Sequence, residues 1–235
     1  MLIIRSILFY FSLVIWTLIM GVICLPFLIL PTKLLKYPSK FWIKVIFIFL
    51  HKICNIKHKI EGIENIPNES VLIASKHQST FETFALYYYL NNCFFVHKRE
   101  LFFIPIFGQY LFKSNMVSID REGGRKTMIK MLEKVKSKLQ SGSSIVIFPE
   151  GTRTIPGSKP NYKTGFIGIY NHTNKKILPI ALNSGLCWSK HSWILKNGVI
   201  TIKILPIIDE GYDKKTVLEK VQSSIETAST ELLDS

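Results

Sequence analysis

Residues 71–90, VLIASKHQSTFETFALYYYL, carry the reading on which the architecture depends. Positions 71–74 form a short unbroken apolar run, the pattern of a strand buried on both faces. A polar loop follows, and 83–90 reads as a helix. A strand that passes through a polar loop into a helix is the repeating unit of an α/β sheet.

The same alternation continues along the chain. Strands are expected at 93–96, 116–119, 145–148, 177–182 and 199–205, with helices at 102–112, 125–140 and 162–170. In the 125–140 helix Met128, Met131, Leu132, Val135 and Leu139 recur at helical spacing, and Gly142 stands just past its end as a stop. Asp213 is placed to cap a last amphipathic helix through Val217, Leu218, Val221 and Ile225. The prediction is one α/β domain over 61–235, a mixed sheet flanked by helices.

Upstream the composition changes. Residues 6–30 carry no charged side chain, a stretch of about 25 residues that suffices to cross a bilayer as a helix. It exceeds a usual signal-peptide core and no small-x-small cleavage site follows, so an uncleaved anchor is expected. Arg5 precedes it, whereas Lys33, Lys36, Lys40 and Lys44 follow in quick succession, which places the rest of the chain on the cytoplasmic face of a bacterial-type inner membrane. Residues 41–50 are apolar but too short to span alone. An interfacial helix, a re-entrant arm and a helix packed on the domain all fit, within a membrane anchor and basic interfacial segment over 1–60.

The net charge of +14, from 30 Lys and Arg against 16 Asp and Glu, calls for an anionic partner. Eight of the cations precede the first acid, Glu61, and they are interleaved with Phe, Trp, Ile and Leu. That mixture suits a membrane phospholipid surface. No nucleic-acid signature accompanies it, so no nucleic-acid partner is expected. Cys24, Cys54, Cys93 and Cys187 are scattered without metal or disulfide spacing.

Two motifs carry chemistry. His77 lies in the loop after the first strand with Glu82 at the start of the next helix, a spacing at which a carboxylate can hold one ring nitrogen while the other accepts a proton. Taken alone, the pair reads more readily as an exposed His before a helix whose first-turn acid favours the dipole. The second motif is Phe148-Pro149-Glu150-Gly151-Thr152-Arg153, directly after a strand. Its glycine permits an unusual turn and its arginine can bind a phosphate through two parallel bonds, although a capped turn closed by a local Glu–Arg pair also fits.

Together the motifs resemble those of the glycerol-phosphate and lysophosphatidate acyltransferase family. Lys98-Arg99-Glu100-Leu101, Pro105, Gly108 and Ile119-Asp120-Arg121 look like its middle motif, and Leu178-Pro179-Ile180 like its late proline-containing strand. The resemblance runs from about Gly62 to Leu205 with the blocks in order. It implies His77 as general base and Glu82 as its partner. Arg121 and Arg153 would clasp the acceptor phosphate, Gly151 and Thr152 would shape the pocket, and Glu150 would hold the turn or contact the acceptor glycerol. It implies acyl-CoA or acyl carrier protein as donor and lysophosphatidic acid as acceptor, with no metal and no bound cofactor; acylation of another lysophospholipid or a lyso-aminolipid, and a silent membrane lipid-binding protein, are the alternatives. The chain departs from the family pattern at Glu82, where Asp is usual, and at Lys76, where Asn is frequent. The longer acid requires a shifted helix start or a folded-back side chain, and Lys76 is expected to favour the unprotonated His77 ring by charge repulsion.

Overall fold

The computed structural model describes residues 1–114, 116–119, 124–158 and 160–233. Its described strands are β1 (Ile56–Glu61), β2 (Leu72–Ser75), β3 (Cys93–Lys98), β4 (Val117–Ile119), β5 (Ser144–Ile147), β6 (Ile177–Leu182) and β7 (Gly198–Ile204). They form one sheet in the order β1-β7-β6-β2-β5-β3-β4, parallel throughout except for the antiparallel β6–β7 pair. The fold is the expected mixed α/β sheet.

Helices cover both faces because the central strands are apolar on both sides. β6 is buried at every residue. On one face Phe81 and Leu86 from α3 (Phe81–Tyr89) join Phe47 and the strand residues Ile180 and Ile202 in one cluster. On the other, Val135 from α5 (Gly124–Gln140), Phe166 from α6 (Thr164–Thr173) and Val221 from α7 (Lys214–Glu231) cover Leu72 and Ile145. Asp213 caps α7 as expected, its Oδ1 accepting from Lys215 N at 2.9 Å and Thr216 N at 3.2 Å.

Two elements differ from expectation. β1 straddles the boundary drawn at residue 60 and pairs with β7 from Ile56↔Gly198 to Glu61↔Lys203. The helix expected over 102–112 is split into a 3-10 turn (Arg99–Phe103) and α4 (Phe107–Lys113). Pro105 and Ile106 cause the break, since Ile106 takes a φ of 67°, outside any right-handed helix.

Helix α1 (Leu2–Ile23) is long and apolar enough to cross a membrane, and 22% of its most apolar window is buried. One side is docked on the domain. Phe9 is wholly buried, packs edge-on against Trp188 at 5.4 Å, and Leu195 N donates to Ser6 Oγ. The other side leaves Ile4, Ile7, Phe11, Val14 and Leu18 bare, a continuous apolar face of the kind that meets lipid. Helix α2 (Lys36–Cys54) packs one face on the domain: Ile43, Ile46, Phe47, Leu50 and Cys54 are buried in its core. Trp16 and Trp42 tie the two helices together, Trp16 Nε1 donating to Trp42 O and Trp42 Nε1 to Thr17 Oγ1.

Candidate active site

The two motifs, about seventy residues apart in the chain, meet because β2 and β5 are parallel neighbours. Their register pairs Ala74 with Ile147. The loops leaving both strands therefore emerge side by side at the carboxyl end of the sheet, where α/β folds present reactive groups. Thr154 N donates to His77 O at 2.7 Å and so fastens one loop to the other.

His77 Nδ1 lies 2.9 Å from Glu82 Oε1. Glu82 is fully buried in the first turn of α3. An unpaired carboxylate there would cost several kcal/mol, and four donors offset that cost. Gln78 N and Ser79 N each donate to Oε1 at 2.6 Å, His77 Nδ1 faces the same oxygen, and Ser184 Oγ donates to Oε2 at 2.7 Å. The longer acid thus folds back over its own loop. Because a carboxylate only accepts, the facing ring nitrogen carries the hydrogen, and in the neutral tautomer that this selects Nε2 holds the lone pair. The imidazole is braced from behind by Phe148, stacked at 3.9 Å and 16°.

Glu150 is turned inward. Its Oε2 accepts from His77 N and Thr154 Oγ1, each at 3.2 Å, and its Oε1 lies 3.0 Å from Lys76 Nζ. Of its two expected roles, this geometry suits holding the turn. Burial pushes its carboxyl up to about 7, against the pull of the Lys76 charge, and the neighbouring Glu226 adds to the rise. The buried ammonium of Lys76 is paired with Glu226 and Glu150. Tyr162 OH completes the cluster by donating to Glu226 Oε1 at 3.0 Å.

His77 opens onto a cavity of about 1120 Å³. Thr152, Arg153, Lys163 and Lys190 line its polar part. Arg153 Nη1 donates to Thr80 Oγ1 at 3.2 Å, and Lys190 Nζ donates to Thr152 Oγ1 at 3.0 Å. Gly151 takes a φ of +70° beside Lys163, a left-handed turn that favours glycine. The remaining wall is mostly apolar, with Met20, Trp42, Phe84, Tyr110 and Met131 among its residues. A cationic end and a long apolar remainder suit an amphiphile with an anionic head. Arg121 lies outside the described residues. Ser184 and Lys190 escaped the sequence reading: both sit in the 184–195 connection, which no motif marks, and only the placement of β6 beside β2 brings it to the site.

The Acyltransferase family matches residues 57–183. The 1-acyl-sn-glycerol-3-phosphate acyltransferase of Pseudomonas aeruginosa is 31% identical over 221 residues, covering 92% of this chain and 85% of that protein. The protein of the same name from Helicobacter pylori is 35% identical over 125 residues, about half of each chain. The crystal structure of the 1-acyl-sn-glycerophosphate acyltransferase PlsC from Thermotoga maritima superposes with a TM-score of 0.81 over 98% of this chain and 95% of that one, at 22% identity, and so shares the fold. By motif order, extent of match and architecture, this chain belongs to the Acyltransferase family.

Proposed function

We propose that this protein transfers an acyl chain from an acyl thioester to the free hydroxyl of a 1-acylglycerol 3-phosphate, giving phosphatidic acid. The observation that carries the reading is the 2.9 Å contact between His77 Nδ1 and a buried, four-donor Glu82, at the edge of a cavity with a cationic end. His77 Nε2 takes the proton of the acceptor hydroxyl as its oxygen attacks the thioester carbonyl. Glu82 stabilises the imidazolium that results. Collapse of the tetrahedral intermediate breaks the carbon–sulfur bond, and the departing thiolate recovers the proton from His77.

Arg153, with Arg121 and Lys190, holds the acceptor phosphate, and Gly151 and Thr152 shape the turn that presents it. Coenzyme A and acyl carrier protein both supply the required thioester. The bare face of α1 supports a seat on the phospholipid surface, and the basic flank after α1 supports an orientation toward the cytoplasm.

The test is acylation by the detergent-purified protein of 1-acylglycerol 3-phosphate beside the same lipid without its phosphate. Turnover is expected with the first only, and Arg153→Ala is expected to raise its KM at least tenfold. Equal turnover of the two lipids would contradict the reading.

A further inference from the structure

His97 is a second histidine on the cavity wall, and the chemistry described so far does not use it. It sits near the end of β3, and the alternation of a strand puts it on the same face as Phe95. The rings of Phe95 and Phe148 are 6.4 Å apart, and Phe148 stacks on His77. His97 therefore continues a row of rings that starts at His77, about 6.6 Å beyond Phe95 along the strand.

The ring is held firmly and its tautomer is set. Nδ1 lies 2.8 Å from the carbonyl oxygen of Lys98, which can only accept, so Nδ1 carries the hydrogen. Phe102 packs edge-on against the ring at 4.8 Å. Nε2 is left as an acceptor. It is buried, His97 as a whole is 9% exposed, and among the described residues nothing hydrogen-bonds to this nitrogen. Burial lowers the pKa of His97 below its ordinary value, which keeps the lone pair free. An acceptor without a donor inside a protein is costly, and the residue that carries this one stands in the wall of the cavity.

We propose that His97 Nε2 accepts a hydrogen bond from the acyl-donor substrate. This rests on the acyl transfer proposed above. In that reaction the acceptor lipid has one free hydroxyl, which belongs at His77, and its phosphate belongs with Arg153 and Lys190. The thioester substrate has donor groups still unmatched: the amide N–H groups along its pantetheine arm, or a hydroxyl on its acyl chain. His97 reads one of these, and it acts as a specificity residue for the donor.

The experiment measures KM for each substrate with wild type, His97→Leu and His97→Gln, all purified at full length and checked by thermal melting. His97→Leu is expected to raise about fivefold the KM for the acyl-CoA that carries the group read, plain or 3-hydroxy, with kcat and the KM for the lipid within twofold of wild type, and His97→Gln to restore most of the loss. If the arm amide is the group read, the Leu defect disappears with a simple alkyl thioester that lacks amides. If a chain hydroxyl is read, the defect appears only with a 3-hydroxyacyl thioester. In the unmodified protein the ¹⁵N resonance of His97 Nε2 should shift on adding a non-reactive S-alkyl coenzyme A carrying the corresponding chain, plain or 3-hydroxy; this needs no turnover and no variant, so it separates failure of this proposal from failure of the acyl-transfer reading. An unmoved Nε2 resonance together with unchanged KM values would overturn it, as would equal losses in the Leu and Gln variants.

Discussion

The ammonium of Lys76 lies 2.8 and 2.7 Å from the two carboxylate oxygens of Glu226, inside the protein and one residue from His77. This pair joins the carboxyl-terminal half of α7 to the loop after β2. Glu150 extends it, reaching Lys76 with one oxygen and the backbone N–H of His77 with the other.

Breaking the pair from one side should therefore cost more than removing both partners. Glu226→Gln leaves a buried ammonium with Glu150 alone and is expected to lower stability by about 3 kcal/mol. The double variant Lys76→Met, Glu226→Met should be more stable than either single variant. Chemical denaturation in a fixed detergent measures each of them, and single variants within about 0.5 kcal/mol of wild type would show the pair to be energetically idle.

Glu150 predicts a pH dependence of stability. Its carboxyl, at 4.5 in an exposed setting, is pushed up to about 7 by burial. Between those values the folded chain binds more protons than the unfolded one, so this contribution stabilises below about 4.5 and is lost as pH rises through about 7. Unfolding free energies measured from pH 4.5 to 7 should fall less steeply in Glu150→Gln than in wild type. Identical slopes would mean that Glu150 is ionised throughout.

Ser184 is the one side-chain hydroxyl among the four donors to Glu82. Ser184→Ala removes a charge-assisted bond, and kcat is expected to fall about tenfold with both KM values little changed. Ser184→Thr, which keeps the hydroxyl, should recover most of the rate. A fall of the same size in both variants would trace the effect to packing.

The sequence made the strand–helix alternation legible wherever a run was apolar on both faces. The 177–182 strand was read to the residue, and the strands at 71–74 and 145–148 to within one. β1 was hidden because Ile56–Glu61 alternates Lys57 and Lys59 with Ile56 and Ile60 on the sheet edge, and those lysines continue the basic character of the preceding segment. At the site, the encounter of His77 with Glu82 could be read locally, since five residues separate them. The direction of Lys76 could not: its partner Glu226 is 150 residues away, on a helix whose docking depends on the whole sheet. Ser184, Lys190 and His97 were obscure for the same reason, as their contacts belong to the assembled cavity and not to any motif.

The central claim, that His77 removes the proton from the acceptor hydroxyl, is tested most directly by the single-turnover rate of His77→Ala, purified in detergent, with a defined acyl thioester and 1-acylglycerol 3-phosphate. A fall of about 10²- to 10⁴-fold is expected, with the melting temperature and lipid affinity retained. A rate within a few fold of wild type would contradict the account.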